Sequence, residues 1–235
     1  MNDIGDNYLD NHFIQRSNWL RAAVLGANDG ILSTASIAIG VAAASDLRES
    51  VVLATLAGLV AGALSMAAGE YVSVSSQTDI EKADIEREKI ELDETPQLEL
   101  QMLAGIYEKR GLKSETALQV ARELTAHDAL AAHVRDELGI NETTRANPIQ
   151  AAFASGAAFT VGGVLPFAIT LLSPLKHMEY MLYGFAIIFL MLLGALAAKT
   201  GGSSVIKAII RITFWGTVAM GLTALVGYLF GINPG

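Results

Sequence analysis

The chain has 235 residues, 52% of them hydrophobic and 17% charged, with a mean hydropathy of +0.42. That balance lies outside the range of soluble domains and implies an integral membrane protein. The absence of cysteine excludes disulfides, thiolate metal sites and iron–sulfur clusters, and a net charge of −8 argues against nucleic acid as a partner.

In chain order, the first 17 residues, MNDIGDNYLDNHFIQRS, are polar and acidic. They lack the basic flank and apolar core of a cleaved signal peptide and read as a cytoplasmic N-terminal segment over residues 1–18. Five apolar stretches long enough to span follow, at roughly 20–44, 51–75, 149–173, 178–198 and 205–230. The first is interrupted by Asn28, Asp29 and Gly30. A carboxylate within a span is costly and tends to face a cavity or a partner; the plainer reading is a hydrated acid near the interface. Gly26, Asn28 and Gly30 are expected to loosen the helix locally and free carbonyl oxygens as ligands.

The second stretch, Leu53–Asp93, runs from a membrane helix into TDIEKADIEREKIELD with no proline. One helix is expected to cross the bilayer and continue into water. Met66 and Glu70 stand one turn apart on one face. A thioether beside a carboxylate suits a borderline-soft divalent ion such as Fe²⁺ better than Mg²⁺ or Ca²⁺. Met66 as packing and Glu70 as an interfacial acid are the structural alternatives. Gly58 and Gly62 form a GxxxG pair beside Ala57 and Ala61, and Gly156, Gly162 and Gly163 line the third span, so close helix packing is expected. Pro166 is expected to kink or break that span.

Between Asp79 and Glu142 there are 16 acidic and 8 basic residues, so the whole net charge falls in one insert. The insert reads as helical. After Pro96 a second helix stops at Gly111, and a third begins with Ser114 as N-cap and ends at Gly139. Leu118, Ala121, Leu124, Leu130 and Val134 give this third helix an apolar side. Glu81, Asp84, Glu88 and Glu91 form an acidic stripe. His133 with Glu137, and Glu123 with His127, have the i, i+4 spacing that lets two side chains reach one ion. A solvated helix face shows the same mixtures of residues.

The expected divisions are 1–18, 19–75 (spans 1 and 2), 76–145 (acidic helical metal-binding domain) and 146–235 (spans 3 to 5). The fold class is an all-α integral membrane protein, five transmembrane helices with a cytoplasmic three-helix domain inserted between the second and third. With the N-terminus inside, 14 of the 16 Lys and Arg residues fall on the cytoplasmic side, and only Arg48 and Lys176 outside. No HExxH, P-loop or GxSxG motif is present, and the chain is not expected to be an enzyme.

GANDGILSTAS, GALSMAAGEYVSVSSQ, the acidic helix ending at Pro96, HDALAAHVRDELG and GGVLP occur in this order. Together they resemble the vacuolar iron transporter family, in a prokaryotic-looking form, from about Trp19 to the fifth span. The resemblance implies a homodimer of five-helix protomers in the lipid bilayer, here a prokaryotic inner (plasma) membrane. It also implies export of Fe²⁺ from the cytoplasm in exchange for protons, with Mn²⁺ a close rival and Zn²⁺ or Co²⁺ as further substrates. By motif position it assigns Asp29 and Met66 to the pathway, joined by Glu70, and Glu88, Glu91, Glu99 and Glu137 to the domain. The chain departs from the family pattern in three places. Gly58 stands where a further membrane acid can occur, Met102 where another domain acid is expected, and His133 with Val134 where a methionine pair can stand. Asp29, Met66, Glu88, Glu91, Glu99, Met102, His133 and Glu137 are therefore the expected metal ligands. The rival function is a membrane-anchored metal-sensing or storage protein through which nothing crosses.

Overall fold

The computed structural model describes residues 17–140 and 147–231. Residues 1–16, with Arg16, and most of the linker before Pro148, with Arg145, lie outside the described residues. The described residues form seven α-helices and no strand. They are α1 (Ser17–Ala44), α2 (Arg48–Glu94), α3 (Pro96–Lys109), α4 (Ser114–Asp136), α5 (Pro148–Leu172), α6 (Met178–Thr200) and α7 (Val205–Phe230). Five segments are long and apolar enough to cross a membrane: Ala23–Ala44, Arg48–Glu94, Pro148–Leu172, Leu175–Thr200 and Val205–Phe230. The chain is an all-helical integral membrane protein. It divides into two compact units, Met1–Tyr71 with Ile149–Gly235, and Val72–Pro148, and α2 contributes to both.

In the membrane unit α6 buries one residue per turn: Met178, Leu182, Ala186, Leu190, Gly194 and Ala198. This i, i+4 row packs with Ile31, Ala35, Ala38 and Ile39 of α1 and Met220 of α7 into one core. Between helices in lipid the driving force is close van der Waals contact, and α1 has it on two sides. A Cβ on Gly30 would strike the Phe159 carbonyl of α5, and one on Gly162 would strike the Ala27 carbonyl of α1. Toward the other end of α1, a Cβ on Gly227 of α7 would strike the Gly40 carbonyl.

These contacts correct two expectations. Gly26 and Gly30 do not loosen α1, which is helical throughout Ser17–Ala44; they let α5 approach its backbone. Likewise α5 runs unbroken through Pro166. The proline removes one hydrogen bond, a loss that neighbouring helices can accommodate where the turn is buried, and Gly162, Gly163 and Pro166 are all buried. The GxxxG pair serves packing within the chain, since Gly58 faces Ile37 and Gly62 faces Phe159, while Ala57 and Ala61 stay exposed.

Arg48 has a role its position in the sequence did not signal. Its guanidinium donates to the carbonyls of Thr170 (2.9 Å), Leu171 (2.8 Å) and Ser173 (2.5 Å). These belong to the last turn and end of α5, where helix carbonyls lack partners and the macrodipole favours a cation.

In the second unit, Pro96 opens α3 at a position where its missing N–H costs nothing. Gly111, at φ +101°, turns the chain toward α4. Ser114 is the first helical residue of α4 and not its cap; the cap position is Lys113, with no side-chain hydrogen bond. Helix α4 is not one uninterrupted helix either. Asp128 has extended backbone angles (φ −161°, ψ 97°), and its Oδ1 accepts a hydrogen bond from the Ala131 N–H at 2.9 Å. That is N-cap geometry, so a new helical segment starts here. The break reorients the apolar side, and Ala132 and His133 become buried beyond it. The core is small: Leu103, Ala104, Ala121 and Ala132, flanked by Leu100, Ile106, Tyr107, Leu118 and Leu124.

Candidate metal centre

Beside that small core lie side chains that an apolar interior would exclude. Glu88 of α2, Glu99 of α3 and His133 of α4 are 2%, 3% and 0% exposed. Buried charges persist only when paired or when they coordinate a cation. With Glu137, one turn after His133, they bring one ligand atom each to within 4.8 Å of one another. Three carboxylate oxygens and an imidazole nitrogen at such separations are spaced to hold one divalent cation. Among the described residues this is the one group of three or more His, Asp or Glu side chains so arranged.

His133 Nδ1 is 2.9 Å from Glu88 Oε1 and 2.9 Å from Glu137 Oε2. Nδ1 is hydrogen-bonded to Glu137 Oε2, and Glu88 Oε1 is left without a hydrogen bond despite the equal distance. Glu99 Oε2 and His133 Nε2 are also buried and without partners. Burial, the main cause, and the Glu137 charge push the Glu88 carboxyl above its usual 4.5; His133 opposes this, and Glu99 and Glu91 add to it. Its environment therefore resists a charge that a bound cation would welcome.

Local sequence explains the placement. Glu99 lies in the first turn of α3, where the helix amides favour negative charge. Glu137 is at the opposite kind of position, the C-cap of α4. The chain leaves there through Gly139 (φ +69°), with the Ile140 N–H returning to the Val134 carbonyl at 2.9 Å. Its neighbour Asp136 accepts hydrogen bonds from Tyr107, Arg110 and Arg135 at 2.7 Å each. Burial raises the Asp136 carboxyl, but these donors outweigh it and bring it from 3.8 down to about 2. A carboxylate lowered in this way stabilises the fold above its ordinary value, and the contribution is lost as pH falls toward 2. The shift corresponds to about 2 kcal/mol, so Asp136→Asn should lower the thermal stability of the second unit at pH 7 by roughly that amount. The deficit should shrink between pH 4 and 2 in calorimetry of the purified protein.

Not every residue expected at a metal site joins this group. Glu91 pairs with Arg87 at 3.5 Å, and Met102 is 44% exposed; both stand outside it. Glu123 accepts from Gln119 at 3.0 Å, and it and His127 are exposed. The proposed stripe is thus divided, with Glu88 turned inward and Glu81, Asp84 and Glu91 retaining exposure. In the membrane unit Asp29 is half-buried and accepts a 2.7 Å hydrogen bond from Ser33 Oγ. Met66 and Glu70 are half-buried as well. Beside Asp29, Asn28 Oδ1 is buried without a partner.

A polytopic helical membrane protein with a charged helical unit and a buried carboxylate–imidazole group suited to a divalent cation is the class these features define. The family model described as the VIT family matches residues 20–228, and the chain belongs to that family. It is 43% identical over 214 residues to a protein of Acanthamoeba castellanii named vacuolar iron transporter, covering 91% of this chain and 79% of that one. It is 35% identical over 229 residues to vacuolar iron transporter homolog 2 of Arabidopsis thaliana, covering 94% and 90%. It is also 35% identical over 216 residues to vacuolar iron transporter homolog 2 of Oryza sativa subsp. japonica, covering 92% of each.

Proposed function

We propose that this protein transports divalent metal ions, Fe²⁺ first and Mn²⁺ second, out of the cytoplasm in exchange for protons. The observation that carries the reading is the group of Glu88, Glu99, His133 and Glu137, whose ligand atoms lie within 4.8 Å of one another inside a small helical unit. Three carboxylates and one imidazole favour borderline ions such as Fe²⁺, Mn²⁺, Co²⁺ and Zn²⁺. The names of the relatives support iron among these.

In this reading the second unit is cytoplasmic and captures the ion, and Asp29 and Met66 replace part of its hydration shell within the membrane. Protonation of Asp29 or Glu70 then favours release. The exposed alanines of α2, Ala57 and Ala61, support a second protomer as the partner. The basic residues are concentrated on the side assigned to the cytoplasm, which supports an inner-membrane orientation with the N-terminus inside.

The test is ion flux into proteoliposomes across an imposed pH gradient, with Fe²⁺ and Mn²⁺ offered separately. Metal uptake that rises with the gradient and is accompanied by counter-movement of protons supports the proposal. Tight metal binding without flux would replace it with a sensing or storage role.

A further inference from the structure

The candidate ligands His133 and Glu137 both lie on the short segment of α4 beyond the break at Asp128. Its start is capped by Asp128, through the 2.9 Å hydrogen bond to Ala131 N–H. Its end is a helix C-terminus, where last turns fray and where the macrodipole disfavours acids. Two consecutive acids, Asp136 and Glu137, nevertheless stand there.

Asp136 is held by its neighbour Arg135, at 2.7 Å, and by two side chains from outside the segment. Its side chain is 8% exposed. Tyr107 Oη donates to Oδ2 at 2.7 Å, and Arg110 donates to Oδ1 at 2.7 Å and to the Asp136 carbonyl at 3.3 Å. The guanidinium of Arg110 also lies over the Tyr107 ring, 5.3 Å from its centroid. Tyr107 is in the last turn of α3, the helix that supplies Glu99, and Arg110 is its C-cap residue. Glu99 and Tyr107 are eight residues apart, two turns or about 12 Å of rise on one face. Asp136 is thus tied to the far end of α3, while the adjacent Glu137 meets Glu99 near its start.

We propose that Tyr107 and Arg110, acting through Asp136, are positioning residues that set the register of α4 on α3 and so hold His133 and Glu137 at the distance from Glu99 that one cation requires. The inference rests on the metal-binding reading above and deepens it, because none of the three clamp residues touches the ion. A clamp at the segment's end acts most strongly on the ligand next to it. Its loss should therefore alter the coordination geometry and not only the stability of the unit. Groups that orient metal ligands without touching the metal are typically worth about 10–100-fold in affinity.

The experiment uses the purified full-length protein titrated with Co²⁺, whose visible absorption reports coordination geometry. Glu99→Gln and His133→Ala identify the part of the spectrum that belongs to this site. Arg110→Gln with Tyr107→Phe should weaken that site roughly tenfold and change the shape and intensity of its band at saturating Co²⁺. Arg110→Lys, which keeps a cation beside Asp136, should recover part of both. Tyr107→Phe alone, removing one hydroxyl, provides the same readout if the double variant does not fold.

An unchanged band and unchanged affinity in variants lacking the clamp would overturn the positioning role while leaving the metal site standing. A loss of thermal stability with the saturated band intact would overturn it also, since that is the signature of a purely structural contact. If the wild-type spectrum contains no component sensitive to Glu99→Gln or His133→Ala, the metal site itself fails and this inference fails with it.

Discussion

Glu88→Gln is expected to make the metal-free protein more stable and at the same time to weaken its hold on divalent ions. The carboxyl is 2% exposed, lacks a hydrogen bond on Oε1 and is pushed above its usual range by burial and by the Glu137 charge. A carboxyl raised in this way favours the folded state when protonated, and that contribution disappears as pH rises through the raised value. Glutamine is neutral at every pH. Its advantage should be negligible near pH 4 and should grow toward pH 8, measured as the difference in unfolding temperature in the presence of chelator. With Mn²⁺ or Co²⁺ in excess the order should reverse, because the ligand that destabilises the empty site stabilises the occupied one. A drop in the metal-free unfolding temperature at pH 8 on replacing Glu88 would count against the site as described. The effect on affinity should reach about 100-fold, the upper end for groups that merely support a ligand.

Asp29→Asn should reduce metal flux in proteoliposomes to the level of protein-free vesicles while leaving the fold and metal binding to the second unit intact. Asparagine keeps the shape and can still accept the 2.7 Å hydrogen bond from Ser33 Oγ, so little structural cost accompanies the loss of charge. What disappears is an acid within a membrane-spanning helix, a residue type retained there at an energetic cost and usually for function. Wild-type flux in the Asn variant would remove Asp29 from the pathway and with it the role of the first helix in transport.

Much of the architecture was legible because membrane spans depend on long-range composition, which a few interruptions do not obscure. The five apolar runs, the unbroken continuation of α2 into its charged half and the helical insert all follow from hydropathy, proline positions and charge. His133 with Glu137 was legible as an i, i+4 pair because spacing along one helix is a local property. The resemblance, and not spacing, pointed to Glu99, since its distance from His133 is set by the packing of α3 on α4. By spacing alone Glu88 read as part of an acidic stripe, and the resemblance made it a ligand; only the contact with its neighbours shows that it turns inward while Glu91 pairs with Arg87. The break in α4 was hidden because Asp128 stands between strong helix formers. Its capping signal, an acid followed by Ala-Leu-Ala, had no preceding stop to mark it. At Gly26 and Gly30 glycine was read as a source of flexibility, whereas the backbone of α5 occupies the space their side chains would fill.

That last contact also limits how the membrane unit moves. A Cβ on Gly30 would strike the Phe159 carbonyl and one on Gly162 the Ala27 carbonyl, so at these two positions α1 and α5 meet backbone to backbone. Small shear displacements between helices are ordinarily absorbed by the side chains between them. At these two positions there are none, and sliding one helix past the other there would drive main chain into main chain. Asp29 is one residue from the contact at Gly30. If the chain transports ions as proposed above, changes of access to Asp29 are expected from elements that move around this pair of helices.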